Sequence, residues 1–240
     1  MAVLNSLIKV ILDKGGDVLS LMYPVNCRGC GNRLSKGEET LCLLCIHELP
    51  RTRFENMRNN SMEKHFWGRV PLSAATAFCY FQKGGKVQHL MHQFKYKRKT
   101  DIGLKLGQLL GEEIKPVFEF QNCDCIIPIP LHWKKQKKRG YNQSDFIADG
   151  ISEALKIPVL KTAVQRNSMN ESQTRKNRFQ RWQNVESIFS VAKADQLKNK
   201  NVLLVDDVMT TGSTLEACAS EILKSNATSV SVATLALAER

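Results

Sequence analysis

No run of about 18 consecutive apolar residues occurs in the 240-residue chain, so no segment reads as a membrane-spanning helix. Residues 1–24 lack the uninterrupted apolar centre of a secretory signal. They mix Leu4, Leu7, Ile8, Ile11 and Leu12 with Lys9, Asp13, Lys14 and a Gly15-Gly16 break, which fits an amphipathic helix packed on the main body. These absences lead to the expectation of a cytoplasmic protein. A Gly-Lys-Ser/Thr triplet is missing, which excludes a Walker loop, and no G-x-G-x-x-G follows an apolar run, which excludes a dinucleotide fingerprint. No internal repeat is evident.

What is present is an ordinary globular composition, with 42% hydrophobic residues, and a strongly basic balance of +12. The length suits one fair-sized core and a small extra module. Cys27-Arg-Gly-Cys30 and Cys42-Leu-Leu-Cys45 form two C-x-x-C pairs with the spacing of a Cys₄ zinc ribbon. Each pair supplies thiolates from one tight knuckle. With four sulfurs filling a tetrahedron no position stays open, so the expected zinc is structural. His47, nearby, is expected at the surface. Cys79, Cys123, Cys125 and Cys218 have core-like neighbours and read as inert small hydrophobes.

Residues 50–70 are polar, irregular and rich in Arg and Asn, and read as a linker or a flexible loop over the surface. The expected division is therefore 1–60 for the helix, ribbon and linker and 61–240 for the main domain. Within the latter, residues 74–82 read as a strand and Val87, Leu90, Met91 and Phe94 as one face of a helix. Ile102 to Val117 reads as a second helix ended near Pro116. Cys125 to Pro130 is a short buried strand, followed by the cationic loop Lys134–Arg139 and a helix with Phe146, Ile147, Ile151 and Leu155 inward. Thr228 to Leu237 is the last strand. Strand, loop, helix in succession predicts a doubly wound, mainly parallel α/β sheet with ligands at the carboxyl ends of its strands.

The most informative stretch is Val202-Leu-Leu-Val-Asp-Asp-Val-Met-Thr-Thr-Gly-Ser-Thr214. Val202 to Val205 has the character of a buried parallel strand, which delivers Asp206 and Asp207 to its carboxyl edge. Beyond it Leu215, Cys218, Ala219, Ile222 and Leu223 recur at helical spacing, and Ser213 with Glu216 reads as a capping box. Thr210, Thr211, Ser213 and Thr214 offer hydroxyls around Gly212, so the loop can wrap a phosphate monoester in uncharged donors at a helix start. The two carboxylates would repel that phosphate and suit instead the diol of a ribose, directly or through Mg²⁺.

This segment resembles the phosphoribosyl-pyrophosphate signature of type I phosphoribosyltransferases. The resemblance implies that Asp206 and Asp207 hold the ribose at the catalytic centre and that Val208, Thr210, Thr211, Gly212, Ser213 and Thr214 surround the 5′-phosphate. It also implies a second loop for pyrophosphate, placed at Lys138, Arg139, Gly140 and Tyr141. The charge distribution agrees: Lys134 to Trp182 carries a net +8 and Lys83 to Lys99 a net +6, against +12 for the whole chain.

The two C-x-x-C pairs after Tyr23-Pro24, Phe94-Lys95-Tyr96, Pro-Ile-Pro…Arg-Gly-Tyr-Asn-Gln, and Gln173-Thr174…Arg178…Arg181…Asn184-Val complete the pattern. With the acid-pair loop they resemble the ComF family of bacterial proteins, ComFC and GntX-like proteins among them, from about Leu19 to Leu237. The family implies a type I phosphoribosyltransferase fold with a zinc ribbon, Mg²⁺ with phosphoribosyl pyrophosphate as ligand, and a link to competence and DNA uptake. Single-stranded DNA and a DNA-uptake helicase or processing protein are the implied partners. No cysteine at the chain's start could serve as a glutaminase nucleophile, so glutamine-dependent chemistry is not expected. The 6-oxopurine enzymes carry a further acid where this chain has Thr210, and a threonine is a poor base at neutral pH, which argues against purine salvage of that kind. A binding protein with a non-catalytic version of the fold is the competing expectation, with Tyr96, Tyr141 and Trp182 as stacking residues among the cations.

Overall fold

Val202, Leu203, Leu204 and Val205 are all fully buried, and the sheet is built outward from them. A computed structural model describes residues 24–167 and 188–238. Four parallel strands, β1 (Ala75–Tyr80), β2 (Cys125–Pro128), β5 (Asn201–Met209) and β6 (Ser229–Leu237), lie in the order β1-β6-β5-β2. β3 (Val164–Arg166) and β4 (Phe189–Val191) form a separate antiparallel ribbon. Strands covered on both faces need apolar residues on both, which is why Cys125–Pro128 and residues 202–205 read as runs rather than alternations.

Helices cover the two faces. On one, α8 (Ser213–Lys224) brings Leu215, Cys218, Ala219 and Ile222 against Val202, Leu204, Val230 and Val232. The opposite side takes α3 (Lys86–Tyr96), α4 (Thr100–Ile114) and α7 (Gln143–Leu155), with α7 lying over β2 and β5. The α4 and α7 backbones meet closely: a Cβ on Gly107 would strike the Ile147 carbonyl, and one on Gly150 the Leu104 carbonyl. This close approach sets the amino end of α7, and hence Ser144, against the tip of the sheet. α4 runs from Thr100 to Ile114, not from Ile102 to Val117, and a single turn, α5 (Phe118–Gln121), follows Pro116. In α7, Ile147 and Ile151 are buried, whereas Phe146 and Leu155 are half-buried.

Several local expectations are corrected. The segment 50–70 is no linker. It holds a 3₁₀ turn (Phe54–Asn56) and a short helix α2 (Ser61–Lys64), and it buries Phe54, Met62, Phe66 and Val70. Its polar residues tie it to β1: Thr52 N donates to Phe78 O at 3.3 Å. Asn60 caps α2 through Oδ1 while its Nδ2 donates to Ala75 O at 2.9 Å. Met62, Phe66 and Val70 recur every fourth residue, a short apolar spacing that the polar residues between them mask. The two compact units accordingly divide at Leu49/Pro50, so residues 50–60 go with the second unit and not with the first.

Two further corrections concern the sheet's carboxyl edge. β5 does not end at the acids but continues through Asp206 and Asp207 to Met209, paired throughout with β6. The cationic stretch is a seven-residue helix, α6 (Trp133–Arg139), because the His132 ring accepts from Lys134 N and Gly140 closes the helix at φ +85°. The expected amino-terminal helix and the residues from Gln173 to Asn184 lie outside the described residues.

In the first unit, Cys27 N donates to Asn32 O at 2.8 Å and Gly31 N to Cys27 O at 2.9 Å, which closes the first knuckle. Arg28 N donates to Thr40 O at 2.9 Å, tying it to the second. Helix α1 (Leu43–His47) begins at the N-cap Cys42, whose sulfur accepts from Cys45 N. His47 is exposed, as expected.

Candidate functional site

The four cysteines meet. The sulfurs of Cys27, Cys30, Cys42 and Cys45 all lie within 4.8 Å of one another, with the spread that a single tetrahedral ion requires. Cys27 Sγ accepts from Gly29 N and Cys42 N, each at 3.3 Å. Burial raises the Cys27 thiol, but backbone N–H donors from Cys42, Cys30 and Gly29 outweigh it and bring the group down to about 6. Gly29 leaves no room for a side chain, since a Cβ there would stand 2.8 Å from Cys45 Sγ. Converging sulfurs with amide donors already on one of them fit a metal held by thiolates, and the set is compatible with a structural zinc. The other cysteines are buried, and burial pushes Cys79 and Cys123 up to about 12 and Cys125 to about 11, so they are inert thiols.

The second constellation forms at the carboxyl edge of β5. β2 ends at Pro128, opposite Val205, so the strand's next residues have no strand neighbour on that side. Side chains from helices fill the gap. Ser144 Oγ, in the first turn of α7, donates to Asp206 Oδ1 at 3.0 Å, and Asp207 N donates to the same oxygen at 2.8 Å. Lys95 Nζ, in the last turn of α3, lies 2.7 Å from Asp207 Oδ2. Burial and then the neighbouring Asp207 charge push Asp206 up to about 7, against the pull of Asp207 N–H, Ser144 and Lys95. A pair of hard carboxylate oxygens short of positive charge suits Mg²⁺ or the hydroxyls of a sugar.

Beyond the acids Val208 is half-buried and Met209 buried, and the chain then exposes Thr210, Thr211 and Ser213, with Thr214 half-buried. Thr211 Oγ1 and Ser213 Oγ are 2.9 Å apart. Gly212 is required twice over. Its φ of +75° is left-handed, and a Cβ would stand 3.1 Å from Met209 Cε and 3.2 Å from the Phe66 ring. Gly212, not Ser213, is the N-cap of α8, and Glu216 points away from it to Arg69 at 3.2 Å. The expected capping box is thus absent, and the Ser213 hydroxyl stays in the loop with Thr211.

The loop at 138–141 belongs to the same place. Tyr141 Oη donates to Phe94 O, Gln143 Oε1 accepts from Arg139 Nη1 at 2.6 Å, and the Arg139 guanidinium lies 5.5 Å over the Tyr96 ring. A Cβ on Gly140 would stand 3.5 Å from Arg98 Nη2. Three distant segments, 94–98, 139–144 and 206–214, are therefore laced together. Lys138 is exposed on α6 and takes no part in this lacing. Lys95, Arg98 and Ser144 have no place in the site as expected from the sequence. The available signal was the Phe94-Lys95-Tyr96 triplet ending an amphipathic helix, since a cation there sits at the helix's negative pole.

Residues 139–240 match the model of the phosphoribosyl transferase domain. Competence protein ComFC of Bacillus subtilis is 33% identical over 224 residues, which span 87% of this chain and 82% of that protein. DNA utilization protein YhgH of Escherichia coli is 29% identical over 210 residues, 86% of this chain and 87% of that one. Competence protein F of Haemophilus influenzae is 35% identical over 130 residues, covering 52% of this chain and 57% of its own length. Among solved structures, the glutamine phosphoribosylpyrophosphate amidotransferase of B. subtilis, complexed with ADP and GMP, is 19% identical with a TM-score of 0.43 over 60% of this chain and 30% of that one. A purine phosphoribosyltransferase of Pyrococcus horikoshii is 22% identical with a TM-score of 0.36 over 59% and 75%. The domain match and the parallel sheet, rather than these distant likenesses, define the fold. By its extended identity to ComFC, its phosphoribosyl transferase domain and its four-cysteine cluster, the chain belongs to the ComF family.

Proposed function

We propose that this protein is a cytoplasmic, competence-related phosphoribosyltransferase that binds Mg²⁺-phosphoribosyl pyrophosphate. The ribose hydroxyls lie on Asp206 and Asp207, the 5′-phosphate in the loop Val208 to Thr214, and the pyrophosphate beside Arg139, Gly140 and Tyr141 with Lys138 at the rim. Asp206 and Asp207 would hold Mg²⁺ at this edge, and the ion would offset the negative charge of the pyrophosphate. An acceptor nucleophile then forms a bond to C1 of the ribose while the bond from C1 to the pyrophosphate oxygen breaks, and the electron pair leaves with pyrophosphate. The cations at the end of α6 steady that leaving group as positive charge develops at the sugar. Zinc in the four-cysteine cluster takes no part in this chemistry.

The observation that supports this reading best is the meeting of segments 94–98 and 139–144 at one acid pair, which carries a cation on Asp207 and is followed in the chain by a loop of uncharged hydroxyls. That division of labour matches a ligand with a monoester at one end and a dense anion at the other. Among the described residues no helix is long and apolar enough to cross a membrane.

A second reading is a single-stranded DNA-binding or partner-binding competence factor with a non-catalytic fold, acting beside a DNA-uptake helicase or processing protein. It is favoured by Trp133 and Tyr96, which are 52% and 59% exposed beside the cations of α6. Calorimetric titration of phosphoribosyl pyrophosphate with Mg²⁺ separates the two. Binding that is lost in Asp206→Asn/Asp207→Asn, with the fold retained, is the expected result. Unchanged affinity in that variant would sink the ribose assignment. No binding to the wild type, with salt-sensitive DNA binding that needs Lys137, Lys138 and Arg139, would make the second reading the leading one.

A further inference from the structure

The Lys95–Asp207 ion pair is built with more care than a surface pair needs. Lys95 and Asp207 are 21% and 15% exposed, and their contact at 2.7 Å lies in the candidate site itself. The backbone around Lys95 is held from two sides. Phe94, fully buried, seats its ring on Gly103 of α4, where a Cβ would overlap the ring, and its carbonyl accepts from Tyr141 Oη of the 138–141 loop. Three residues beyond Lys95, Arg98 adopts a left-handed φ of +54° and carries its guanidinium beside Gly140. Such a conformation is uncommon outside glycine and points to a constrained turn. The carboxyl end of α3 thus places one cation on the acid pair and a second beside the loop assigned to pyrophosphate.

We propose that Lys95 is a donor-site residue that exchanges partners: its ammonium neutralises Asp207 in the empty site and turns to the pyrophosphate when the metal-bound donor enters. The inference rests on the donor reading above. The driving force is charge. A divalent ion beside Asp207 repels the ammonium, while pyrophosphate presents dense negative charge within reach of a flexible four-carbon stem. Charge-assisted bonds from an ammonium to phosphate oxygens are among the stronger polar contacts a side chain makes. Because α3 is pinned through Phe94, the side chain alone has to swing. Arg98, whose guanidinium stands beside Gly140, supplies the second cation to the same group.

Lys95→Met tests this, since it keeps the stem and removes the charge. Two opposed shifts are expected. Binding of Mn²⁺ alone, followed by electron paramagnetic resonance, tightens because Asp207 is released. Calorimetric affinity for phosphoribosyl pyrophosphate with Mg²⁺ falls by about tenfold or more. Lys95→Arg, which keeps the charge, stays within about threefold of the wild type. A Lys95→Met protein that binds the donor as well as or better than the wild type, while Asp206→Asn/Asp207→Asn does not bind, overturns this inference and leaves the donor reading standing. A wild type that does not bind the donor overturns both. Weakened binding of Mn²⁺ and donor together would show a merely structural role for Lys95, and would also overturn it.

Discussion

The cysteine cluster and the acid pair are both gatherings of like ionisable groups, yet Cys27 of the first and Asp206 of the second depart from ordinary behaviour in opposite directions. Cys27 is drawn down to about 6 because backbone N–H groups from its own knuckle and from Cys42 donate to its sulfur. Asp206 is pushed up to about 7 because burial and Asp207 outweigh the hydrogen bonds it accepts. The first site is locally self-sufficient: its ligands and their supporting amides come from residues 27–45. The second borrows its support from α3 and α7, whose Lys95 and Ser144 stand more than a hundred and more than sixty residues, respectively, before the acids they meet. A site closed by its own backbone is suited to a permanent structural ion. An acid pair left short of positive charge is suited to a ligand that comes and goes.

The largest expected effect breaks the first half of that comparison. Elemental analysis of protein purified without chelator should find about one zinc per chain, and Cys30→Ser or a strong chelator should remove it and unfold the first unit. Metal content near zero in the untreated protein would refute the structural-ion reading. Gly212→Val tests how firmly the second site is shaped. A β-branched residue at a φ of +75°, with its Cβ 3.1 Å from Met209 and 3.2 Å from Phe66, should cost about 2–3 kcal/mol in denaturant unfolding. A change within about 0.5 kcal/mol would mean that the loop relaxes freely.

The smallest effect is the sharpest, because its sign distinguishes the sites. Asp206 holds its proton more tightly in the folded chain, up to about 7, than in the unfolded one, where an aspartate titrates near ~3.9. Between those values the unfolded state loses the proton first, so its contribution to stability falls as pH rises from about 4 to about 7 and then levels off. Asp206→Asn retains an oxygen for Ser144 Oγ and Asp207 N and removes the charge. Its melting temperature should exceed that of the wild type by about 4 °C at pH 8, with the gap narrowing at pH 5. An equal gap at both pH values, or a lower melting temperature at pH 8, would contradict an acid pair strained by burial and repulsion.

The legibility of the two sites followed their construction. C-x-x-C spacing is a local property, and the cysteines it named are those that meet. The strand before the acids, the hydroxyls of Thr210 to Thr214 and the position of Gly212 were equally plain, because apolar runs and turn residues act over a few positions. Local patterning missed the continuation of β5 to Met209, since two acids look like a strand's end unless the β6 partner is known. It also read Ser213 and Glu216 as a capping box, when Glu216 is drawn to Arg69 and Gly212 takes the cap. Residues 50–70 look like a linker because their Arg and Asn residues mask the four-residue spacing of Met62, Phe66 and Val70, although each of these is buried.

The sequence alone determined the parallel sheet, the four-cysteine cluster and the acid-pair loop, because apolar runs, ligand spacing and turn chemistry are set by near neighbours. Tertiary structure decided that Lys95 and Ser144 join the acids and that Arg98 comes beside Gly140. Their arrival depends on where β2 stops, on the bare glycines that let α4 meet α7, and on the Phe94 carbonyl that holds Tyr141. These contacts join segments far apart in the chain, and no periodicity along a chain encodes which distant segment will supply the missing charge.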